Sequence, residues 1–391
     1  RRRRMRLQIR YGAFIAAALI GAQLAPSAVP EARAGLIGVD ASTVSYVFHY
    51  FSDVEGVDVF THYATGGLET THNVALGVRY AHDIVVFPAI EAAPGTQEAV
   101  DAITNASRPI AGNTDPYQDF VKIRDEVQGS ITYRNYYASY YVSTESDYFA
   151  QMVSAGYNHD LLGENLNVAV GVSYSWDNIQ PLEDSDTEGT PDYRRTLHGN
   201  LVVTQVLTPT TVVRVGGEVN RVRGLQHDPY RNIYVAGTNV PELHPWFRDR
   251  WDVFLRVSQY VSNRSSVKLD YRYYEDDWGI SSHTVGGKLS QYVTDKVVVR
   301  YRYRYYNQIP AFFFRDSYTQ SDGVTGFRTG DYRLGDYGAH LFGGQVLWFP
   351  YGARGHIGFL KGAHFVIGYE RYFNSNNFTA DILETGLHVT F

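Results

Sequence analysis

The sequence predicts an all-β protein, a transmembrane antiparallel up-and-down β-barrel of about 16 strands. Three observations carry that expectation. Segments of roughly ten residues with apolar side chains at every second position recur along the chain, the length needed to cross an apolar slab about 25 Å tall. The connections between them alternate in length. Long ones (82–120, 179–194, 223–245, 307–331) follow strands running one way, and short joints near Arg134, Gly163, Pro209, Asn263 and Asp295 follow strands running the other. Only Pro350–Gly362, a longish joint on the short side, breaks this parity. Composition fits a chain that is apolar on one face only, with 32 Tyr, 15% aromatic residues and no 18-residue apolar run.

Residues 1–34 read as a secretory signal peptide. Arginines precede an apolar run from Tyr11 to Leu24, and Ala32-Arg33-Ala34 supplies a small-residue cleavage site, so Gly35 is the expected mature start and 35–391 the barrel domain. This segment holds seven Arg and one Glu of the chain's 35 basic and 41 acidic residues. Without it 28 basic and 40 acidic residues remain, and the formal charge moves from −6 to −12. A chain this acidic is not built to hold nucleic acid through its phosphates. It has no Cys, which excludes disulfides and thiolate metal sites, and nothing in it calls for a cofactor.

Ser42–Ser52, Val57–Leu68 and His72–Ala81 are the first three expected strands. In the long connection after them a capping Thr96 precedes Ala99, Val100 and Ile103, so Thr96–Ala106 reads as a short helix, either on a surface loop or folded into the pore as a constriction. Val121–Arg134 and Tyr136–Thr144 form one hairpin, Phe149–His159 and Asn165–Trp176 another. In the last of these Leu166, Val168, Val170, Val172 and Tyr174 make a lipid-like face, and Asn167, Ala169, Gly171, Ser173 and Ser175 a small polar one. Arg195–Leu207 and Thr211–Val222 flank Thr208-Pro209-Thr210. Trp246–Val261 pairs with Ser266–Tyr274, and Ser281–Val293 with Lys296–Tyr306. Tyr332–Phe349, Ala363–Phe373 and Phe378–Phe391 finish the chain.

The closing strand places Leu383, Thr385, Leu387 and Val389 on one face and Glu384, Gly386, His388 and Thr390 on the other. Its Gly386, Leu387, Val389 and terminal Phe391 resemble the C-terminal signal by which the barrel assembly machinery takes up its clients.

Four segments carry a wider resemblance: Tyr271–Thr284 (YRYYEDDWGISSHT), Arg302–Gln308 (RYRYYNQ), Ser143–Tyr148 (STESDY) and Asp331–Gly335 (DYRLG). With them the chain resembles an uncharacterised family of Gram-negative outer-membrane barrels, a domain of unknown function, over essentially its mature length. The resemblance implies the barrel and its location in the outer membrane. It implies no substrate.

Strand Lys296–Tyr306 puts Val297, Val299, Tyr301, Tyr303 and Tyr305 on one face and Arg300, Arg302 and Arg304 on the other. A charge facing lipid near the midplane costs about 2–4 kcal/mol, so the arginines are expected to line the lumen. The two preceding strands add Lys268, Arg272 and Lys288 on their polar faces, and consecutive hairpin strands are neighbours. Six cations on one wall read as an anion-attracting surface, or as members of a lumenal salt-bridge network with Asp270, Glu370 and Glu384. Glu275-Asp276-Asp277-Trp278-Gly279 reads as a solvated hairpin tip with its Trp at the membrane interface. Its three carboxylates could hold Ca²⁺ but lack the alternate-residue spacing of a calcium loop. The many Tyr read as interfacial girdles, or as a sugar-stacking path.

Hydrolysis would have to be assembled from His227-Asp228, His159-Asp160 or His283. Of these, His159-Asp160 sits at an inner turn, and no G-x-S-x-G or H-E-x-x-H run is present. The expected function is therefore a porin-like channel for small polar or anionic solutes in the outer membrane of a Gram-negative bacterium, with no catalytic, metal or cofactor site. The alternatives are a scaffold or sleeve for a periplasmic or redox partner protein in the lumen or at the rim, and an outer-membrane hydrolase. Outer-membrane lipid, the assembly machinery and a small solute are the expected partners.

Overall fold

A computed structural model describes residues 39–54, 56–87, 120–181, 190–235, 238–318, 326–352, 356–357 and 360–390. The expected signal peptide, the expected helix Thr96–Ala106 and the terminal Phe391 of the assembly signal lie outside these residues.

The chain folds as β1 (Val39–Asp53), β2 (Asp58–Thr70), β3 (Val74–Phe87), β4 (Phe120–Tyr133), β5 (Tyr136–Thr144), β6 (Tyr148–Leu161) and β7 (Leu166–Ile179). β8 (Asp192–Thr208) and β9 (Thr211–Gly224) follow, and then a small hairpin of β10 (Asn232–Val235) and β11 (Thr238–Pro241) inside a connection. β12 (Phe247–Val261), β13 (Ser265–Asp276), β14 (Ser281–Tyr292), β15 (Val297–Gln308) and β16 (Tyr337–Trp348) resume the main sheet. The two-residue β17 (His356–Ile357), β18 (Leu360–Asn374) and β19 (Thr379–Thr390) complete it. Sixteen of these strands, all but β10, β11 and β17, form one closed antiparallel barrel, each paired with its neighbours in the chain. β1 closes the ring on β19 through 11 consecutive residue pairs, from Thr43 opposite Thr390 to Asp53 opposite Ala380.

The two-residue alternation sorts side chains between lipid and lumen. On β7, β8 and β9 the apolar Val170, Val172, Leu201, Val215 and Val219 are half or more exposed because they point away from the barrel. Between them Gly171, Asn200 and Glu218 share one inward row. The tight inner turns are made by residues in the left-handed region, among them Arg134 (φ 53°), Leu162 (φ 51°), Asn263 (φ 73°) and Arg264 (φ 57°).

Three differences from the sequence reading bear on the architecture. β3 does not stop at Ala81 but runs to Phe87, where Val85 and Phe87 are buried against Val57. Its last four residues, Ile84 to Phe87, are all apolar because this end of the strand is packed on both sides. The segment Tyr332–Leu334 is a 3₁₀ turn capped by Asp331, not the start of a strand. The long inner joint after β16 exists because β17 folds back to pair with the start of β18.

A charge on the lipid face tests this sorting. Leu201→Arg is expected to cost about 2–4 kcal/mol in denaturant unfolding from lipid vesicles. Val202→Arg, one residue on and facing inward, is expected to cost about 1 kcal/mol or less. Equal losses would overturn the assignment of faces.

Candidate functional site

The three strands β13, β14 and β15 bring the expected cations together in register. Lys268 stands opposite Lys288, and Lys288 opposite Arg302, making one inward row. Arg304 lies in the next inward row toward the outer end, and Arg300 in the next row toward the inner end. Tyr301, Leu269 and Val285, on the alternate positions, are exposed to lipid. The row of Arg304 runs through Gly286, Asp270, Arg256 and Arg214, so β12 and β9 add two further cations. Sequence reasoning missed Arg214 and Arg256 because neither has a second cation two residues away on its own strand, as Arg300, Arg302 and Arg304 do; the flanking Val213 and Val215, and Leu255 and Val257, were the available signal.

Two of the expected six are neutralised. Arg272 pairs with Asp252 at 2.5 Å, and Arg302 with Glu370 at 2.9 Å. Of the other acids expected in a network, Glu384 accepts from Gln345 at 3.0 Å and faces His49 at 3.5 Å, while Asp270 holds no ion pair. Lys268, Lys288, Arg300, Arg304, Arg214 and Arg256 likewise hold no ion pair among the described residues, and their one protein hydrogen bond is from Arg214 Nε to Thr204 at 3.1 Å. Lys268 feels Arg256, Arg300 and Arg214 as its charged neighbours. A cation removed from water without a partner costs several kcal/mol, so this wall has to be wet. Lys268, Arg302 and Arg304 are indeed exposed although they face inward.

The wall from β3 to β8 is different. There Arg79 meets Glu126 at 3.5 Å, Arg124 meets Asp83 and Glu126, Lys122 meets Glu145 at 2.9 Å and Asp147 at 2.5 Å, and Arg194 meets Asp177 at 3.0 Å. Each of these inward cations holds a carboxylate.

Above the outer ends of β9 to β16 the described parts of two connections, 225–235 with 238–246 and 309–318 with 326–336, fold together into a cap. Ile233, Val235 and Val240 of the β10–β11 hairpin bury against Tyr318. Leu243 and Arg328 exchange backbone hydrogen bonds of 3.1 and 2.9 Å. Arg231, 3% exposed, lies 3.2 Å from Asp331 and 3.6 Å from Glu242. Glu242 accepts from the Thr329 hydroxyl at 2.8 Å and the Gly330 amide at 2.7 Å. Tyr230 donates to Asp147 at 2.5 Å. Asp147 belongs to the β5–β6 joint, four strands away around the ring, or about 19 Å of circumference, so this connection reaches over part of the mouth.

Trp278 is part of this cap and not at the membrane interface, which corrects the sequence reading. It is 2% exposed, clustered with Ile280, Ala311, Phe313 and Leu334, with Arg248 stacked 4.1 Å above its ring. The adjoining carboxylates diverge. Asp276 pairs with Arg248 at 2.6 Å and accepts the Trp278 and Ile280 amides at 3.0 Å, Glu275 faces outward to the Tyr273 hydroxyl, and Asp277 is exposed. Among the described residues no three His, Cys, Asp or Glu side chains are placed to hold a metal ion. The three histidines considered for hydrolysis are far apart: His159 stacks on Tyr157 at the inner end, His283 lies 2.8 Å from the Tyr271 hydroxyl on the outer face, and His227 lies edge-on to His244 in the cap. Of the residues expected to form an assembly signal, Leu387 and Val389 lie on the lipid side, and Gly386 faces inward between Val47 and Val366.

The cap is charged in a way that makes it pH-dependent. Burial pushes the Glu242 carboxyl up to about 7, with Arg231 opposing. Burial and the neighbouring His227 press His244 down to about 3, while its Nδ1 donates to the Gln226 carbonyl at 3.2 Å. Burial would raise Asp331, but Arg333 and Arg231 outweigh it and hold the carboxyl well below its usual range. The Glu242 contribution is full below 4.5 and lost as pH rises through about 7. Those of His244 and Asp331 are full at neutral pH and lost as pH falls below 6.5 and 3.8 respectively. Between 4.5 and 6.5 Glu242 and His244 oppose each other. Below 4.5 only destabilising protonations remain, at up to about 1.4 kcal/mol per pH unit for each group. Protection of the Leu243 and Arg328 amides from hydrogen exchange is therefore expected to fall between pH 4.5 and 3.5. His244→Phe, which keeps the ring packing against Trp278 and Phe313, should blunt that fall, and identical profiles would refute the assignment.

A family profile described as "Protein of unknown function (DUF3570)" matches residues 13–349, ending ahead of β18 and β19. No curated protein matches the sequence. Among solved structures, OmpT of Vibrio cholerae in a form lacking loop L8 is 10% identical with a TM-score of 0.44, covering 90% of this chain and 99% of its own. OprD of Pseudomonas aeruginosa is 11% identical with a TM-score of 0.45 over 90% and 94%. OpdK of the same organism, determined with vanillate, is 9% identical with a TM-score of 0.43 over 90% and 98%.

Proposed function

Because the chain belongs to DUF3570, a family of proteins of unknown function, its activity has to be read from its own residues, and we propose that it is an outer-membrane channel admitting small anionic solutes. One observation carries the reading: among the described residues seven inward cations on β9 and β12 to β15, the six above and Arg250, hold no ion pair, while the cations of the wall from β3 to β8 are paired. A ring of 16 strands leaves an aqueous lumen unless a loop closes it. Paired charges contribute little net field across such a lumen, so the unpaired wall sets its sign. An anion passing Lys268, Lys288, Arg300 and Arg304 replaces hydration water with direct cationic contacts, and a cation meets repulsion along the same path. Passage is passive, and the cap over the mouth sets the size limit. The lipid-facing band and the C-terminal strand support placement in the outer membrane.

Conductance in a planar bilayer tests this. The refolded protein is expected to give stable ohmic steps with a reversal potential favouring anions. Replacing Lys268, Lys288, Arg300 and Arg304 together by Gln should bring the anion-to-cation permeability ratio toward unity, whereas the double change Arg272→Gln/Asp252→Asn, which removes a pair already neutral, should leave it unchanged. A silent bilayer from folded barrel would overturn the channel and favour the sleeve holding a partner protein.

A further inference from the structure

Arg195 on β8 and Arg223 on β9 stand directly opposite each other in the strand register. Both face away from the lumen, on the same face as the lipid-exposed Tyr193, Leu197 and Val219. Both also lie at the outer end of the barrel, Arg195 three residues after β8 begins and Arg223 one residue before β9 ends. Like charges at opposed positions, with Cβ atoms about 4.5–5.5 Å apart, repel. Elsewhere the fold avoids such exposure. The other outward-facing arginines on the described barrel strands are neutralised, Arg221 by Asp249 at 2.7 Å and Arg371 by Asp381 at 2.7 Å. Arg195 and Arg223 hold no carboxylate among the described residues. Arg195 instead donates to the carbonyls of Asp177 at 2.6 Å and Arg194 at 2.9 Å.

The surroundings form a seat for an amphipathic ligand. The two guanidiniums lie 5.0 and 5.1 Å over the rings of Tyr193 and Phe247, and Trp246 meets Tyr193 edge-on at 5.5 Å. Exposed aromatic rings of this kind mark the level at which a barrel leaves the hydrocarbon. Below them the surface is apolar, with Leu197, Leu201 and Val219 all about half exposed or more. An occupant needs a multiply charged anion at the top and acyl chains beneath. We propose that Arg195 and Arg223 jointly hold a phosphate of a phosphorylated glycolipid of the outer leaflet, of the lipid A type. Planar guanidiniums bind phosphate oxygens in a two-point fork, and the phosphate relieves the repulsion between them. This rests on the outer-membrane placement and is independent of conduction, because the patch faces away from the lumen.

The test is lipid binding by the detergent-folded full chain, read by native mass spectrometry and by the shift of the thermal unfolding midpoint. Bisphosphorylated lipid A is titrated beside the same lipid stripped of its phosphates. The wild type is expected to bind the phosphorylated form at least about tenfold more tightly. The Arg195→Gln/Arg223→Gln variant should lose that preference. Arg371→Gln, at the paired outward site on β18, should keep it within about twofold. If the double variant does not fold, the two single variants replace it, each expected to lose about threefold or more. Equal binding of the two lipids by the wild type, full retention of the preference in the variants, or competition by inorganic phosphate alone at equal strength would each overturn the lipid site. A silent bilayer would leave this result standing.

Discussion

Inside a bilayer no water is available to a backbone amide or carbonyl, so a strand can cross only if both of its edges are paired. The seam between β1 and β19 meets that condition. It joins the two ends of a sheet whose first and last residues are some 350 positions apart, through 11 uninterrupted residue pairs. The closing strand is as regular as the central ones for this reason, since an edge left open there would expose a row of unpaired groups to lipid. Closure over such a separation adds little in loop entropy, because that term grows only logarithmically. It does tie completion of the barrel to a long-range pairing, which makes folding slow and assistance useful.

Closure then decides what the interior must be. A strand paired on both edges offers one face to lipid and one to the lumen, and the lipid face takes the apolar residues. Polar and charged side chains are thereby concentrated inside, where each charge needs either a counter-charge or water. The two walls answer differently. From β3 to β8 the chain supplies acids in register with the bases, as with Asp83 opposite Arg124 and Asp177 opposite Arg194. From β9 to β15 it mostly does not. Gly286 illustrates the point: a Cβ there would lie 2.2 Å from an Asp270 oxygen, so the missing side chain lets this carboxylate lie against the strand, where it forms no ion pair among the described residues.

How far the sequence carried depended on how local each signal was. The strand count and the sense of the connections were legible because a two-residue period and a loop of 20 or more residues are visible without knowing any partner. The arginines at 300, 302 and 304 were legible for the same reason, being alternate residues of one strand. Arg214 and Arg256 were not, because a cation with no second one two residues along its strand acquires meaning only from its neighbours across the sheet. Trp278 was misread because its burial is created by Phe313 and Leu334, which arrive from a different connection. The whole cap escaped notice on that account. Its contacts, such as Glu242 with Thr329, join two irregular segments that carry no period.

The half-paired lumen also suits conduction better than a uniformly basic one. A pore has to attract its solute enough to draw it in and weakly enough to release it. Cations on every wall would surround an anion and hold it in place. With the β3 to β8 wall neutralised within itself, the solute is stabilised from one side only and keeps water on the other. The spread of the unpaired cations over several rows then provides a succession of weak sites instead of one deep well. On the channel reading, the carboxylates of the quiet wall matter as much as the arginines of the active one, because they keep attraction from becoming capture.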